Sequence, residues 1–267
     1  MLRSMYSGIS GLKNFQTKLD VIGNNIANVN TFGYKKSRVV FKDLISQTAQ
    51  GGTASNETTR GGTNPMQIGL GAQLGAIDTI HTEGNSQFTG RPLDFKIAGD
   101  GYFIVGADGD TNPSYTRAGN FYIDDKGALV NGDGLYVLQD DFTKITIPEG
   151  ATSMSVGKDG VVTVIDANGT EPVPIGRIGL AKFNNTGGLL KTGSNLFKPS
   201  PSSGPAIIDE TVRATLGTIE SSMLEMSNVD LSEEFTEMIV AQRGFQANTR
   251  IITTSDEILQ ELVNLKR

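Results

Sequence analysis

The sequence offers few side chains that could perform catalysis or hold a metal ion. His81 is the only histidine among 267 residues, and the chain contains no cysteine. A single imidazole, with no cysteine or second histidine to accompany it, is a weak basis for a zinc site or an activated nucleophile. A lone histidine is more often a surface or turn residue, so we expect no catalytic or metal-binding role for His81.

One aspartate-rich segment resembles the beginning of a calcium-binding loop. Residues 108–112 read DGDTN, which matches the first ligand positions of an EF-hand. The loop then requires glycine at its sixth position and glutamate at its twelfth, but this chain has Pro113 and Gly119 there. We therefore interpret the segment as a turn.

Motifs for nucleotide binding and hydrolysis are incomplete or missing. Residues 69–71 read GLG, but Leu74 occupies the place of the third glycine of a dinucleotide-binding loop, and no βαβ pattern surrounds it. The sequence contains no GxxxxGK[ST] and no GxSxG. Most aspartates lie in Asp-Gly turns, which weakens the alternative of a hydrolase that uses paired carboxylates. We expect no cofactor, no metal ion and no enzymatic activity.

Composition narrows the possible partners. The net charge of −6 and the pI near 4.9 argue against nucleic acid. No stretch of 18 or more apolar residues is present, so we expect no membrane insertion. The first residues lack the continuous apolar run of a secretory signal, so export would use a route without a cleaved signal peptide.

The strongest pattern lies near the C-terminus, where apolar residues recur at alternating steps of four and three. This spacing predicts an amphipathic helix over residues 230–267 with a coiled-coil-like seam. Asp230 or Ser232 could cap its start. The seam consists of Leu231, Phe235, Met238, Gln242, Phe245, Thr249, Ile252, Asp256, Leu259 and Val263.

A second stripe of the same spacing begins the chain and predicts a helix over residues 1–32. It consists of Leu2, Met5, Ile9, Leu12, Gln16 and Leu19, with Ile26 beside it. The N-terminal segment is mostly basic and the C-terminal one is mostly acidic, which favours pairing between them. Glycine and alanine along both helices would let further helices approach closely.

Between the helices the periodicity changes to two, with turn signals every eight to twelve residues. This pattern predicts a compact antiparallel β domain, and Asp100-Gly101 predicts a hairpin between two of its strands. The expected fold class is α+β, with long terminal helices in a coiled-coil-like layer. Its predicted parts are a helix (1–32), an extended linker (33–66), the β domain (67–216), a return segment (217–229) and a helix (230–267).

Two structural alternatives remain for the helices. They could pack on a single globular core, or they could form a closed coiled-coil oligomer that carries a β head. A two-helix hairpin has little interior, so apolar stripes on both helices favour neighbours from other copies of the chain. We therefore expect the seam residues to form a subunit interface.

Residues 7–36 read SGISGLKNFQTKLDVIGNNIANVNTFGYKK, and residues 227–267 read SNVDLSEEFTEMIVAQRGFQANTRIITTSDEILQELVNLKR. These two segments resemble the N- and C-terminal motifs of bacterial flagellar axial proteins, the rod and hook subunits. The segment GNSQFTGRPLDFKIAGDGYFIV also resembles the shared β segment of that family, so the resemblance covers nearly the whole chain. The matching motif positions are Asn24, Asn25, Asn28, Thr31, Gly33, Tyr34, Lys35, Asn228, Val229, Gln242, Arg243 and Asn248.

Within the family, the resemblance favours a short hook protein, with the distal rod protein as the alternative. The motifs VDLS, MIVAQR and LVNLKR resemble the hook protein, whereas ITIPEGATSMSVGKDGVVTV resembles the distal rod protein. The resemblance implies a hollow helical homopolymer that transmits motor torque in the flagellar hook or basal body, on the extracellular side of the cell envelope. It also implies contacts with other axial proteins (rod, hook cap and hook–filament junction) and with the flagellar type III export apparatus.

Overall fold

The computed structural model describes residues 2–54, 61–148, 151–166, 172–208 and 215–265. The predicted linker positions 55–60 and the side chain of Leu2 lie outside the described part. The chain divides into two units, which we call the helical unit (Met1–Ala27, Ser37–Asp78 and Asp230–Arg267) and the β unit (Asn28–Lys36 and Thr79–Val229). The combination of two long helices with antiparallel strands confirms the predicted α+β class.

The helical unit contains the two long helices, α1 (Leu2–Ala27) and α2 (Leu231–Leu265). Of the two predicted caps, Asp230 caps α2, since its carboxylate accepts the backbone N–H of Ser232 at 2.8 Å, whereas Ser232 lies within the first turn. Glu233 and Glu234 follow in the first turn, where negative charge is favourable. Four strands complete this unit: β1 (Ser37–Asp43), β2 (Ser46–Gln50), β3 (Met66–Gly69) and β4 (Ala72–Thr79).

The strands of the helical unit form two antiparallel ribbons, β1 with β4 and β2 with β3. The whole β2–β3 ribbon is exposed. The structure therefore differs from the predicted extended linker, because the described residues on both sides of 55–60 pair with each other. The cause is an alternation too polar to be recognised, since Thr48 pairs with Gln67 and Gln47 with Ile68.

The β unit has a central sheet of eight strands, with an additional three-stranded sheet and two two-stranded ribbons. The central sheet runs in the order β16-β17-β8-β7-β11-β10-β9, and β15 also pairs with β7. The smaller sheets are β12-β13-β14, β18-β6 and β19-β5. The bounds are β5 (Ser86–Phe88), β6 (Phe95–Ala98), β7 (Tyr102–Gly106), β8 (Ser114–Thr116), β9 (Tyr122–Ile123), β10 (Leu129–Val130), β11 (Tyr136–Val137), β12 (Ala151–Val156), β13 (Val161–Asp166), β14 (Val173–Arg177), β15 (Leu180–Ala181), a 3-10 turn (Thr186–Gly188), β16 (Leu190–Gly193), β17 (Leu196–Lys198), β18 (Thr218–Ser221) and β19 (Met223–Glu225).

Strand β7 is buried throughout and separates two hydrophobic clusters. Phe103 and Val105 pack in the first cluster, and Tyr102 and Ile104 pack in the second. This division follows from the alternation of side chains along a strand. In the first cluster the ring of Phe103 packs edge-on against Phe121, with centroids 5.2 Å apart.

The predicted hairpin at Asp100-Gly101 does not form, although both of its strands exist. Strand β6 pairs with β18, whereas β7 pairs with β8, β11 and β15. The backbone carbonyl of Asp100 accepts the N–H of Gly217 at 2.7 Å, so the turn itself is held by a later segment. The Asp-Gly signal marks a turn correctly, but the long-range partners of β6 and β7 decide where the two strands lie.

Candidate assembly surface and buried ion cluster

Helices α1 and α2 pack against each other in antiparallel fashion through small residues. Gly8 faces Ile252, and the ring of Phe15 covers Gly244. A Cβ atom added to Gly244 would lie 2.6 Å from Cζ of Phe15, which is closer than real contacts allow. Glycine therefore forms the socket that accepts the phenylalanine ring.

Polar contacts fix the register near the start of α2. The side-chain amide of Asn25 donates to the buried carboxylate of Glu234 at 3.2 Å. One turn further along α2, Lys18 forms an ion pair with Glu237. Asn25 also exchanges two hydrogen bonds with the backbone of Ser37, at 2.9 and 3.0 Å, so it joins α1 to the start of β1.

The centre of the α1–α2 contact lies beside the predicted seam on α2. The buried residues of α2 are Glu234, Ala241 and Ser255. Of the predicted seam residues described here, Met238, Ile252 and Leu259 are half-buried on α2, as are Met5, Leu12, Leu19 and Ile26 on α1. The exposed ones are Ile9, Gln16, Leu231, Phe235, Gln242, Phe245, Thr249, Asp256 and Val263.

Packing explains why the centre of the α1–α2 contact lies beside the predicted seam. Small and polar side chains of α2 face α1, because the glycines of both helices allow a close approach that larger side chains would prevent. The larger apolar side chains consequently remain at the two edges of the contact. Whether they form the subunit interface stays a prediction.

We call these edges the apolar shoulders of α2. Their members are Phe235, Ile239, Val240, Ile251, Ile258 and Leu262, whose exposed fractions lie between 43% and 54%. On α1, Tyr6 and Ile9 are similarly exposed. Soluble monomers rarely expose so many large apolar side chains on one element, and such patches commonly mark interaction sites. The shoulders are therefore the candidate assembly surface.

The glycine socket yields a prediction with a matched control. We expect Gly244→Ala to destabilise the α1–α2 pair by about 1 kcal/mol, because overpacking against Phe15 outweighs the gain in helix propensity. Gly23→Ala on α1 should instead stabilise the pair by up to about 1 kcal/mol, since a Cβ there meets no atom within 4 Å. Urea unfolding followed by helical circular dichroism measures both. Equal effects of the two substitutions would contradict the socket.

The β unit contains a buried ion cluster built from three distant parts of the chain. The ammonium group of Lys35 donates to Oε1 of Glu225 at 2.6 Å, and Arg117 donates to Oε2 of the same carboxylate at 3.3 Å. The side chains of Lys35 and Glu225 are fully buried. Burial lowers the pKa of Lys35 below its ordinary value, and Glu225 offsets part of this effect. One carboxylate thus compensates two cations in the interior.

Further hydrogen bonds support the cluster, although the buried Nε of Arg117 has no partner among the described residues. The Lys35 ammonium also donates to the carbonyl of Thr82 at 2.7 Å, and the N–H of Gly84 donates to Glu225 at 3.0 Å. Arg117 donates to the carbonyl of Gly99 at 2.9 Å. A buried ion pair is costly unless such additional partners exist, and here they do.

Several motif residues hold the segment that carries Lys35. The backbone N–H of Lys36 donates to the side chain of Asn228 at 2.7 Å, and Asn228 in turn donates to the carbonyl of Ile80 at 2.9 Å. Thr31 donates to Asn28 at 3.1 Å, and the ring of Tyr34 is buried. The motif shared with flagellar axial proteins is thus largely a set of structural contacts within this chain.

The remaining motif residues lie elsewhere. Asn24 and Arg243 are exposed on the helices, and Val229 precedes the cap of α2 with its N–H bonded to Ser227 at 3.3 Å. Asn248 lies in the α1–α2 contact, where its side chain faces Gly11. Asn24, Arg243 and Asn248 belong to the helical unit, and Val229 is the last residue of the β unit. None of these four residues is a member of the ion cluster.

Sequence reasoning missed Glu225, Arg117 and the packing of His81. No local pattern marks Glu225 or Arg117, because their partners lie far away in the sequence. His81 is not a free surface residue as expected: its Nδ1 is 2.7 Å from the hydroxyl of Tyr102, and its ring packs edge-on against Phe197. Burial, together with the neighbouring cations, lowers the pKa of His81 to about 4.

This depressed pKa predicts a pH dependence. Unfolded His81 binds a proton below about pH 6.5, whereas the folded β unit resists protonation until about pH 4. The contribution of His81 to stability is therefore present above pH 6.5 and is lost as the pH falls towards 4. In urea unfolding, the free energy of unfolding of the β unit should fall less between pH 7 and pH 5 in the His81→Gln variant than in the unaltered chain. An identical loss in both proteins would contradict the prediction.

Within the described part of the chain, no group of three or more histidine, aspartate or glutamate residues is arranged to hold a metal ion. The same residues contain no helix that is long and apolar enough to span a membrane.

Comparison with known protein families gives three matches along the chain. Residues 5–35 match the model described as flagella basal body rod protein. Residues 96–164 match the flagellar hook protein FlgE/F/G D1 domain, and residues 220–265 match the flagellar basal body rod FlgEFG protein C-terminal model.

Individual relatives match over their entire length. The flagellar basal-body rod protein FlgG of Bacillus subtilis (strain 168) is 60% identical over 268 residues, which cover 100% of both chains. The protein of the same name from Borreliella burgdorferi is 38% identical over 273 residues, again with 100% of both covered. The flagellar hook protein FlgE of B. burgdorferi is 31% identical, but its alignment extends over 444 residues.

Proposed function

Because this chain belongs to the FlgE/F/G family of flagellar hook and basal-body rod proteins, we propose that it is a subunit of the distal rod, the drive shaft of the basal body. It is a structural component of the bacterial flagellum, and membership in this family implies assembly with copies of itself and with other axial proteins. The proposed role is mechanical and involves no catalysed reaction.

The comparisons favour the distal rod alternative over the hook interpretation that the sequence motifs favoured. The 60% identical relative is named a basal-body rod protein and has nearly the same length as this chain. The hook relative requires 444 aligned positions against the 267 residues present here. The resemblance of the C-terminal motif to hook proteins reflects a shared segment, since one C-terminal family model, described as flagellar basal body rod FlgEFG protein C-terminal, matches residues 220–265.

The exposure of the apolar shoulders of α2 is the main support for the proposed assembly. In the single chain these side chains remain about half exposed, although α1 already covers the seam between them. Two exposed edges on one helix support contacts with two different neighbours. A heterologous contact of this kind generates an open helical polymer when its rotation does not close into a ring.

In the proposed assembly the paired helices form an inner layer around a channel and the β units face outward. The burial of the shoulders would stabilise the polymer by roughly 1 kcal/mol for each large side chain that becomes fully covered, since about half of each is already buried in the single chain. We also propose that the chain reaches this position through the flagellar type III export apparatus, as the resemblance implies.

Labelling the chain in flagellated cells tests the distal rod role. We expect an epitope tag to appear in the straight axle within the cell envelope by electron microscopy of isolated basal bodies. A tag that decorates the curved external segment would instead support the hook. Concentrated purified chain should form tubes, whereas small closed oligomers would support a coiled-coil oligomer with a β head.

A further inference from the structure

Residues 28–36 follow directly from α1 in the sequence, yet they belong to the β unit. We call this segment the strap. The N–H of Gly33 donates to the backbone carbonyl of Glu225 at 2.8 Å, and the side chain of Asn195 donates to the carbonyl of Phe32 at 3.0 Å. The strap is therefore held by segments from the far end of the β unit.

The ion cluster is the most demanding of these attachments. Lys35 reaches Glu225 across 190 residues of sequence, and both side chains are fully buried. When the strap is absent, the Glu225 carboxylate loses its shortest contact and keeps Arg117 and the N–H of Gly84. The carbonyl of Thr82 keeps only the longer hydrogen bond from Asn228, at 3.3 Å. Leaving such buried groups without their partners destabilises a fold strongly.

Gly33 is the position that lets the strap lie against its neighbour. Its φ of +68° falls in the left-handed region, and an added Cβ would lie 2.6 Å from the backbone nitrogen of Ala118. A second glycine, Gly109, has a similar φ of +73° but no atom within 4 Å of an added Cβ. The two glycines thus share the backbone conformation, but Gly33 is buried in close contact with its neighbour and Gly109 is exposed.

We propose that the strap is a detachable final piece of the β unit, anchored by Lys35, and that the β unit remains incompletely folded whenever residues 28–36 are held elsewhere. A partner that binds this segment in an extended form would then delay the folding of the rest of the β unit, residues 79–229, which begins more than forty residues later. The strap couples the N-terminal segment of the chain to the stability of its β unit. This inference does not depend on whether the chain serves in the rod or the hook.

The first test compares Gly33→Ala with Gly109→Ala in the full chain. Tyrosine fluorescence during urea unfolding reports on the β unit, because all of the 6 tyrosines except Tyr6 lie in it. We expect Gly33→Ala to raise the ratio of unfolded to folded β unit by a factor of roughly 100, well beyond the effect of Gly109→Ala. Equal effects of the two substitutions would overturn the proposal.

The second test supplies the strap in trans. A synthetic peptide of residues 28–36, NVNTFGYKK, should restore the urea midpoint of the Gly33→Ala chain towards that of the unaltered chain. The same peptide with methionine in place of Lys35 should restore it far less. Failure of the unaltered peptide to restore a chain that Gly33→Ala has destabilised would show that the strap is not a separable piece and would overturn the proposal.

A third measurement covers the case in which Gly33→Ala fails to fold. In hydrogen exchange of the unaltered full chain, the strap amides of Gly33 and Lys36 should exchange through a local opening, with rates at least tenfold faster than those of the buried strand β7. Exchange of strap and β7 amides at the same rate would mean that the strap opens only with the whole β unit, which would overturn the proposal.

Discussion

Replacing Phe235 or Ile258 by aspartate, each in a separate variant, is expected to abolish assembly while leaving both units folded. Phe235 follows the buried Glu234 by one residue, and Ile258 precedes the half-buried Leu259 by one residue. Each is thus rotated by about 100° from the seam, in opposite senses. The two substitutions therefore remove one apolar contact from each shoulder.

The expected effect on assembly is large because the contact recurs in every subunit. Loss of the half of a Phe or Ile side chain that assembly would cover costs roughly 1 kcal/mol, and burying a charged aspartate at the same place adds a desolvation cost of several kcal/mol. Since about 1.4 kcal/mol corresponds to a factor of ten, each substitution should raise the critical concentration for assembly by at least about 100-fold. Sedimentation and electron microscopy of concentrated protein measure this concentration.

The matched control is Thr254→Asp, an exposed polar position on the face of the same helix that lies away from both shoulders and from the α1 contact. It introduces the same charge and should leave assembly almost unchanged. Circular dichroism should show the same helical content in all three proteins. Normal tubes from the Phe235→Asp and Ile258→Asp chains would exclude the shoulders as the assembly surface.

Glu225→Gln is expected to destabilise the β unit by about 3–5 kcal/mol, the largest effect that we predict for any single substitution. The substitution removes the only carboxylate that contacts Lys35 and Arg117 among the ion pairs of the described residues. Two buried cations would then face each other without an anion. Either Lys35 loses its proton or the segments that carry the two cations separate, and both processes reduce the free energy of unfolding.

A second substitution distinguishes this electrostatic cause from a simple loss of packing. Adding Lys35→Met to Glu225→Gln removes one of the two cations while it retains most of the side-chain volume. The double variant should therefore be more stable than Glu225→Gln alone in urea unfolding followed by tyrosine fluorescence. If the double variant is less stable, the charge balance of the cluster does not explain the destabilisation.

Glu220→Gln serves as the control for this pair. Glu220 is a half-buried carboxylate on the neighbouring strand β18, and it is not a member of the ion cluster. We expect it to change the free energy of unfolding by less than about 0.5 kcal/mol. An effect as large as that of Glu225→Gln would mean that the assay responds to any lost carboxylate in this part of the β unit.

The sequence alone was sufficient for the elements that local interactions specify. Apolar residues three and four apart predicted both long helices, because residues with this spacing share one face of a helix. Asp230 was recognised as one of two possible caps, because a short polar side chain before the first turn can accept its free backbone N–H groups. The change to a period of two with frequent turn signals predicted antiparallel strands, and β12 and β13, which Asp159-Gly160 connects, pair in this way.

Only the tertiary structure decided which surfaces meet. The apolar stripe of α2 did not show that α1 would select the neighbouring small residues, because this choice depends on the fit of the Phe15 ring over Gly244. Nor did any local pattern connect Lys35 with Glu225, which lie 190 residues apart. The spacing of apolar residues predicts which face of one helix or strand is buried. Which segment packs against that face depends on the shape and charge of residues that are distant in the sequence.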